Sequence, residues 1–221
     1  MQVRLIESHG DEAFISRIAR LSHESQKGAS VKQLVQWGHL SSLEFAGVTY
    51  LIQCPIFVAR QIMRHRTASY LEKSLRYCTL DEMICDLPFE LVDNTEVGSS
   101  LSSAFEAYRN IIEQGEKLID EDTPPSDKKL IRGRYNELAR SVLPLSLETS
   151  FYVQFDLRNL LHFFEMRLDK DAQYETRWVA RAMLVPLKDI FPTIFQFLVD
   201  KYPYLVYIKD TKRPKGDLYG S

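Results

Sequence analysis

Glu44-Phe45-Ala46-Gly47-Val48-Thr49-Tyr50-Leu51-Ile52-Gln53, followed at once by Cys54-Pro55-Ile56-Phe57-Val58-Ala59-Arg60-Gln61-Ile62-Met63-Arg64-His65-Arg66, is the stretch on which the reading of the fold turns. The first part is rich in β-branched and aromatic residues and reads as a strand over 44–53. Pro55 suits the first turn of a helix, because its missing N–H would have no partner there. The spacing predicts that helix over 55–68, apolar at its start and cationic at its end. Outward from this pair, 2–7 reads as a short strand and 11–22 as a helix, with Phe14, Ile15, Ile18 and Leu21 at helical spacing. A second short helix is expected over 30–37, stopped at Gly38. Leu101, Phe105, Tyr108 and Ile112 mark a long amphipathic helix broken by Pro124-Pro125, and another helix holds Leu130, Leu138 and Val142. Phe151, Val153 and Phe155 alternate with polar neighbours, as in a strand, and two or three helices fill 157–201. Strands separated by long helices predict an α+β fold, a mostly antiparallel sheet packed with several long helices. The expected organisation is a single domain with a helical lobe over 1–208 and a polar tail over 209–221.

The chain has 221 residues, 45% hydrophobic and 26% charged, a composition that fits one substantial folded core. Its net charge of -2 gives no global pull toward nucleic acid or a membrane, so any anion site must be local. The three cysteines Cys54, Cys78 and Cys85 have no CxxC spacing, which argues against a disulfide framework or a cysteine-only zinc site, and no metal is expected. No apolar run reaches spanning length, and the first residues read as a strand, which makes the cytosol the expected compartment. Cys54 and Cys78 are expected as small buried hydrophobes.

Between Arg60 and Arg76 the local charge departs from that balance. Arg60, Arg64, Arg66, Lys73 and Arg76 are cationic, and Glu72 is the lone acid. A solvated helix face fits poorly, because the segment opens with Ile56-Phe57-Val58-Ala59. On a continuous helix Gln61, Arg64 and His65 share one face, while Arg66 points elsewhere. Planar guanidinium groups bind phosphate through paired hydrogen bonds. On the residues alone, a site for a phosphorylated small molecule and a structural ion-pair network stand as open alternatives.

Arg64-His65-Arg66, seven residues and then Ser74 resembles the RHR-x7-S signature of flavin-dependent thymidylate synthases. Pro55 to Gln61 looks like that family's run before the signature, and Arg76-Tyr77 like its end. Ala19-Arg20-Leu21-Ser22, Gly38-His39 with Ser41 and Glu44, Ala139-Arg140, Asp156 to Phe164, and Arg167 with Ala172-Gln173-Tyr174-Glu175 are similar to further family segments. The resemblance implies reductive methylation of dUMP to dTMP. FAD would be the flavin cofactor, NADPH the reductant and 5,10-methylenetetrahydrofolate the carbon donor. It implies a homotetramer with shared active sites, and neither nucleic acid nor membrane as partner.

The resemblance also implies roles. Gln61, Arg64, Glu72, Ser74, Leu75, Arg76, Arg140 and Arg167 are expected at dUMP. Arg76, Arg140 and the backbone at Ser74 would hold the phosphate, and Arg167 would face the uracil as the catalytic residue. Ser22, His39, Ser41, Glu44, Arg64, His65, Arg66, Glu72, Asp156, Arg158 and His162 are expected at the flavin. Some positions depart from the family pattern. Leu71 stands where Asn is usual, Leu75 where a small residue is common, and Asp171 where His is frequent. Asp156 stands in place of Asn, with Arg158 as its expected ion partner. Two other readings remain: a diverged flavin- and nucleotide-binding protein of the same fold without synthase activity, and a nucleic-acid-binding module using Arg60 to Arg76, against which the net charge weighs.

Overall fold

A computed structural model describes residues 1–22 and 29–204. The proposed tail over 209–221 lies outside the described residues. In chain order the elements are β1 (Gln2–His9), α1 (Glu12–Ala19), α2 (Val31–Gln36), β2 (Gly47–Pro55), α3 (Ile56–Ile62), β3 (Ser69–Glu72), α4 (Thr95–Glu116), α5 (Pro125–Ala139), β4 (Glu148–Asp156), α6 (Leu157–Arg167), α7 (Tyr174–Leu184), α8 (Leu187–Ile190) and α9 (Pro192–Lys201). The four strands form one sheet in the order β1-β2-β4-β3, and β1 pairs antiparallel to β2 from Gln2–Gln53 to His9–Gly47. The expected α+β class is the class observed.

The chain forms two compact units that interleave in sequence. The first comprises 1–53, 60–71 and the part from Phe151 onward; the second comprises 54–59 and 72–150. In the first, alternation along β4 buries Phe151, Val153 and Phe155, and α6 contributes Leu160, Phe163 and Phe164 to the same core. Removing each such side chain from water is worth about 1.5–3 kcal/mol, which explains why this strand was readable from its pattern. Tyr50 on β2 is fully buried and its hydroxyl donates to the Met183 carbonyl at 2.7 Å. In the second unit α4 packs along α5, with Gly115 against the root of the Tyr135 side chain.

Several boundaries differ from expectation for local reasons. The helix predicted over 11–22 ends at Ala19 and tightens into a 3-10 turn over Arg20–Ser22. Three residues per turn shift the register, and Leu21 is 95% exposed instead of continuing the apolar face. Residues 41–45 form a 3-10 turn, so β2 starts at Gly47 and not at Glu44. Pro55 closes β2 instead of opening the helix. The helix expected to Ala68 stops at Ile62. A strand, β3, follows at Ser69, where none was expected. Leu130 on α5 is 73% exposed, because that helix buries Ala139 and meets α4 through Tyr135. Four helices, not two or three, occupy 157–201.

Candidate active site

The Arg64-His65-Arg66 triplet lies just beyond α3, in the turn that leads to β3. The His65 N–H donates to the Ile62 carbonyl at 3.1 Å, and the Tyr70 hydroxyl lies 3.0 Å from the Ile62 carbonyl and 2.9 Å from that of His65. One O–H shared between two carbonyls at a helix end satisfies acceptors that the helix leaves over and fixes the turn. Gln61, Arg64 and His65 therefore do not share one continuous helix face. Arg64 and Arg66 are exposed, whereas His65 is 9% exposed and its ring meets Phe163 edge-on at 4.9 Å.

Arg167, the last residue of α6, reaches this turn. Its Nε donates to His65 Nε2 at 3.0 Å and its Nη2 to the Gln61 carbonyl at 2.9 Å. No carboxylate among the described residues forms an ion pair with it. Burial pulls the guanidinium pKa down, opposed by the nearby Tyr70, but an arginine at this site stays protonated at neutral pH. The His65 imidazole is driven down to about 4, first by burial and then by Arg167 and His162. His65 thus adds no positive charge at neutral pH. The His162 ring is 6.1 Å away.

On the same unit, Gly38 at φ 71° ends α2. The His39 N–H donates to the Leu34 carbonyl at 2.9 Å and the Gly38 N–H to Val35 at 3.2 Å. Together they make a Schellman closure that sets where His39 stands. Glu44, in the following 3-10 turn that begins at Ser41, pairs with Arg158 of α6. That pairing corrects the expectation that Arg158 neutralises Asp156. Asp156 instead caps α6, accepting from the backbone N–H of Asn159 at 2.9 Å and from its side-chain amide. Its charge is used at the helix N-terminus, where an anion is favoured. Arg158 and His162 share an exposed face of α6, as their spacing predicts. Ser22 ends the turn after α1.

The second unit gathers another set. Arg76 pairs with Glu137 at 2.8 Å, and its carbonyl accepts from the Asn136 amide at 3.2 Å. Arg140 follows these two residues by three and four positions at the end of α5, on the same side of the helix. The Ser74 carbonyl accepts from the N–H groups of Tyr77 and Cys78, and its hydroxyl accepts from the Arg76 N–H at 3.3 Å. Leu75 is half-buried here, and Leu71 is exposed. Glu72 accepts from the Thr149 hydroxyl at 2.8 Å. An open cleft of about 540 Å³ beside Arg76 is lined by Tyr77, Tyr135, Lys128 and Arg132, among others.

The cysteines divide. Cys54 is buried, as expected, and burial pushes its thiol up to about 12, which keeps it protonated. Cys78 is exposed, against expectation, because it follows the Ser74 turn rather than a core strand. Sequence reading also missed Tyr70, Glu137 and Thr149. Tyr70 sits inside the seven unspecified positions of the signature, and nothing in its spacing marks it. Glu137 lies one helical turn before Arg140, a signal that was available.

A guanidinium aimed by neutral acceptors, as Arg167 is, has the chemistry to meet an anion. The chain belongs to the family described as thymidylate synthase complementing protein, whose sequence profile it matches over residues 4–193. It is 34% identical over 211 residues to a protein of Wolbachia pipientis wMel named flavin-dependent thymidylate synthase, covering 90% of this chain and 73% of that one. It is 35% identical over 213 residues to one of the same name from Pseudothermotoga lettingae, covering 91% of each. A Thermus thermophilus protein, again so named, is 34% identical over 196 residues, covering 86% of this chain and 72% of its own length. Among the described residues no helix is long and apolar enough to cross a membrane.

Proposed function

We propose that this chain is a flavin-dependent thymidylate synthase that methylates dUMP to dTMP, with FAD as cofactor, NADPH as reductant and 5,10-methylenetetrahydrofolate as carbon donor. The observation that carries the reading is Arg167: a half-buried cation whose two hydrogen-bond acceptors among the described residues, His65 Nε2 and the Gln61 carbonyl, are both uncharged. A guanidinium used only for structure would more usefully sit on a carboxylate. One held by neutral groups keeps its full charge, and these two bonds use only two of its five N–H donors.

The residues at hand fit a flavin. His39 and Ser41 follow the closure of α2, and the Glu44–Arg158 pair joins that turn to α6, where His162 shares the exposed face with Arg158. Hydroxyl, imidazole and guanidinium donors of this kind suit an anionic dinucleotide. Ser22, Arg64, His65, Arg66, Glu72 and Asp156 are proposed on the same footing. Bound FAD, once reduced by NADPH, would supply the reducing equivalents; the protein supplies placement and electrostatics.

Arg167 is proposed to stabilise negative charge on the uracil as N3 loses its proton, a contribution on the order of 2–4 kcal/mol for a fixed donor in a partly dry site. Arg76, Arg140 and the backbone at Ser74 are proposed to hold the phosphate, with Gln61, Arg64, Glu72 and Leu75 completing the dUMP set. Arg76 is paired with Glu137, and an exposed pair is worth only ~0–1 kcal/mol, so a phosphate dianion displaces it at little cost. The buried, protonated thiol of Cys54 is unsuited to nucleophilic attack. Ser74 has its hydroxyl turned to the Arg76 N–H and is assigned to positioning. The active form is proposed as a cytosolic homotetramer with shared sites.

The test is direct. Purified protein supplied with FAD, NADPH, dUMP and 5,10-methylenetetrahydrofolate is expected to form dTMP, with oxidation of its reduced flavin dependent on dUMP. A yellow protein that forms no dTMP under these conditions would mark a diverged flavoprotein and overturn the assignment.

A further inference from the structure

His65 and Arg167 lie 102 residues apart in sequence and meet at 3.0 Å. For Nε2 of His65 to accept the Arg167 N–H, it must carry a lone pair, so the ring is neutral with its proton on Nδ1. The residue is fixed at both its ring and its backbone. Phe163 packs edge-on at 4.9 Å, His162 stands at 6.1 Å, and the Tyr70 hydroxyl grips the His65 carbonyl at 2.9 Å. Among the described residues, Arg167, His162 and Tyr70 are the ionisable groups around it, and none is a carboxylate. The Gln61 carbonyl then takes one Nη2 hydrogen at 2.9 Å. Two acceptors on one edge of a planar fork fix both its position and its rotation.

We propose that His65 is a positioning residue for Arg167: as a neutral acceptor it fixes the guanidinium plane without cancelling its charge. This rests on the reading that Arg167 serves the nucleotide ring. A carboxylate in place of His65 would hold the arginine as firmly but remove the field it exerts. An imidazolium there would present a second N–H to the guanidinium and release it.

The experiment compares His65→Leu, His65→Gln and Arg167→Ala as flavin-loaded proteins, reading bound flavin, melting temperature, KM for dUMP and kcat for dTMP. His65→Leu keeps the apolar contact with Phe163 but has no acceptor. Measured per bound flavin, it is expected to lower kcat about 10–100-fold through misplacement of the arginine. His65→Gln, whose amide oxygen can take the same N–H, is expected to recover most of that loss. Equal impairment of the two variants, or a wild-type kcat in His65→Leu, would overturn the role. In the wild type, 15N resonances of the His65 ring are expected to report a neutral imidazole protonated at Nδ1 at neutral pH, a result that needs no variant to fold; an imidazolium or an Nε2–H tautomer contradicts the proposal. Arg167→Ala that still makes dTMP would sink the reading of Arg167 itself. An inactive Arg167→Ala beside a fully active His65→Leu would sink only the positioning role.

Discussion

At the residue scale, charge is decided by what surrounds each cation. Among the described residues Arg167 has only neutral acceptors, whereas Arg76 has Glu137 at 2.8 Å and the Asn136 amide on its carbonyl. Truncating Arg76 removes a charge-assisted contact to the proposed phosphate. Arg76→Ala is therefore expected to weaken dUMP binding about 10–100-fold, the worth of one to two hydrogen bonds to a charged group. Titrating the flavin spectrum with dUMP checks this, and an unchanged curve removes Arg76 from the phosphate site. His65 makes a second prediction. Its folded pKa, about 4, lies below the ordinary 6.5, so the unfolded chain takes up a proton first as pH falls. The stability it contributes is whole above pH 6.5 and declines as pH drops toward about 4. By pH 5 the loss should reach about 1 kcal/mol after allowance for screening, or roughly 2–4 °C in melting temperature for a chain of this size. His65→Gln should flatten that part of the pH profile.

At the scale of elements, close approach and capping dominate. A Cβ on Gly115 would lie 2.5 Å from Cγ of Tyr135 and 2.7 Å from its Cβ. These atoms are the root of the side chain and cannot swing aside. The gain in helix propensity from Gly115→Ala, about 1 kcal/mol, is outweighed by overpacking of about 1–3 kcal/mol, and thermal melting should show a net loss. Asp156→Ala, which removes the cap of α6, is expected to cost about 0.5–2 kcal/mol. An Asp156→Asn variant should be nearly neutral, since the amide oxygen can still cap. β4 and α6 were legible because their buried faces follow strict periods of two and of three to four residues. The end of α3 was not. Arg64 to Ala68 contain no proline or glycine, and the helix stops where the Tyr70 hydroxyl meets the carbonyls of Ile62 and His65. That contact depends on β3, which no local pattern announces.

At the scale of the whole molecule, the family and the α+β class were readable because the arginines stand at fixed spacings along the chain and the strands have clear faces. The partners of the arginines were not. Glu44 meets Arg158 across 114 positions, and His65 meets Arg167 across 102, distances at which spacing carries no signal. The interleaving of two compact units was equally invisible, because each unit is assembled from separated stretches. The proposed homotetramer predicts a light-scattering mass four times that of the chain, and a stable monomer with full activity would contradict shared sites. The most direct trial of the central claim is dTMP formed per bound flavin in wild type and Arg167→Ala. The account predicts that the variant retains its flavin absorbance and loses dTMP synthesis by roughly 100-fold or more. Undiminished synthesis, or loss of flavin in step with activity, would contradict it.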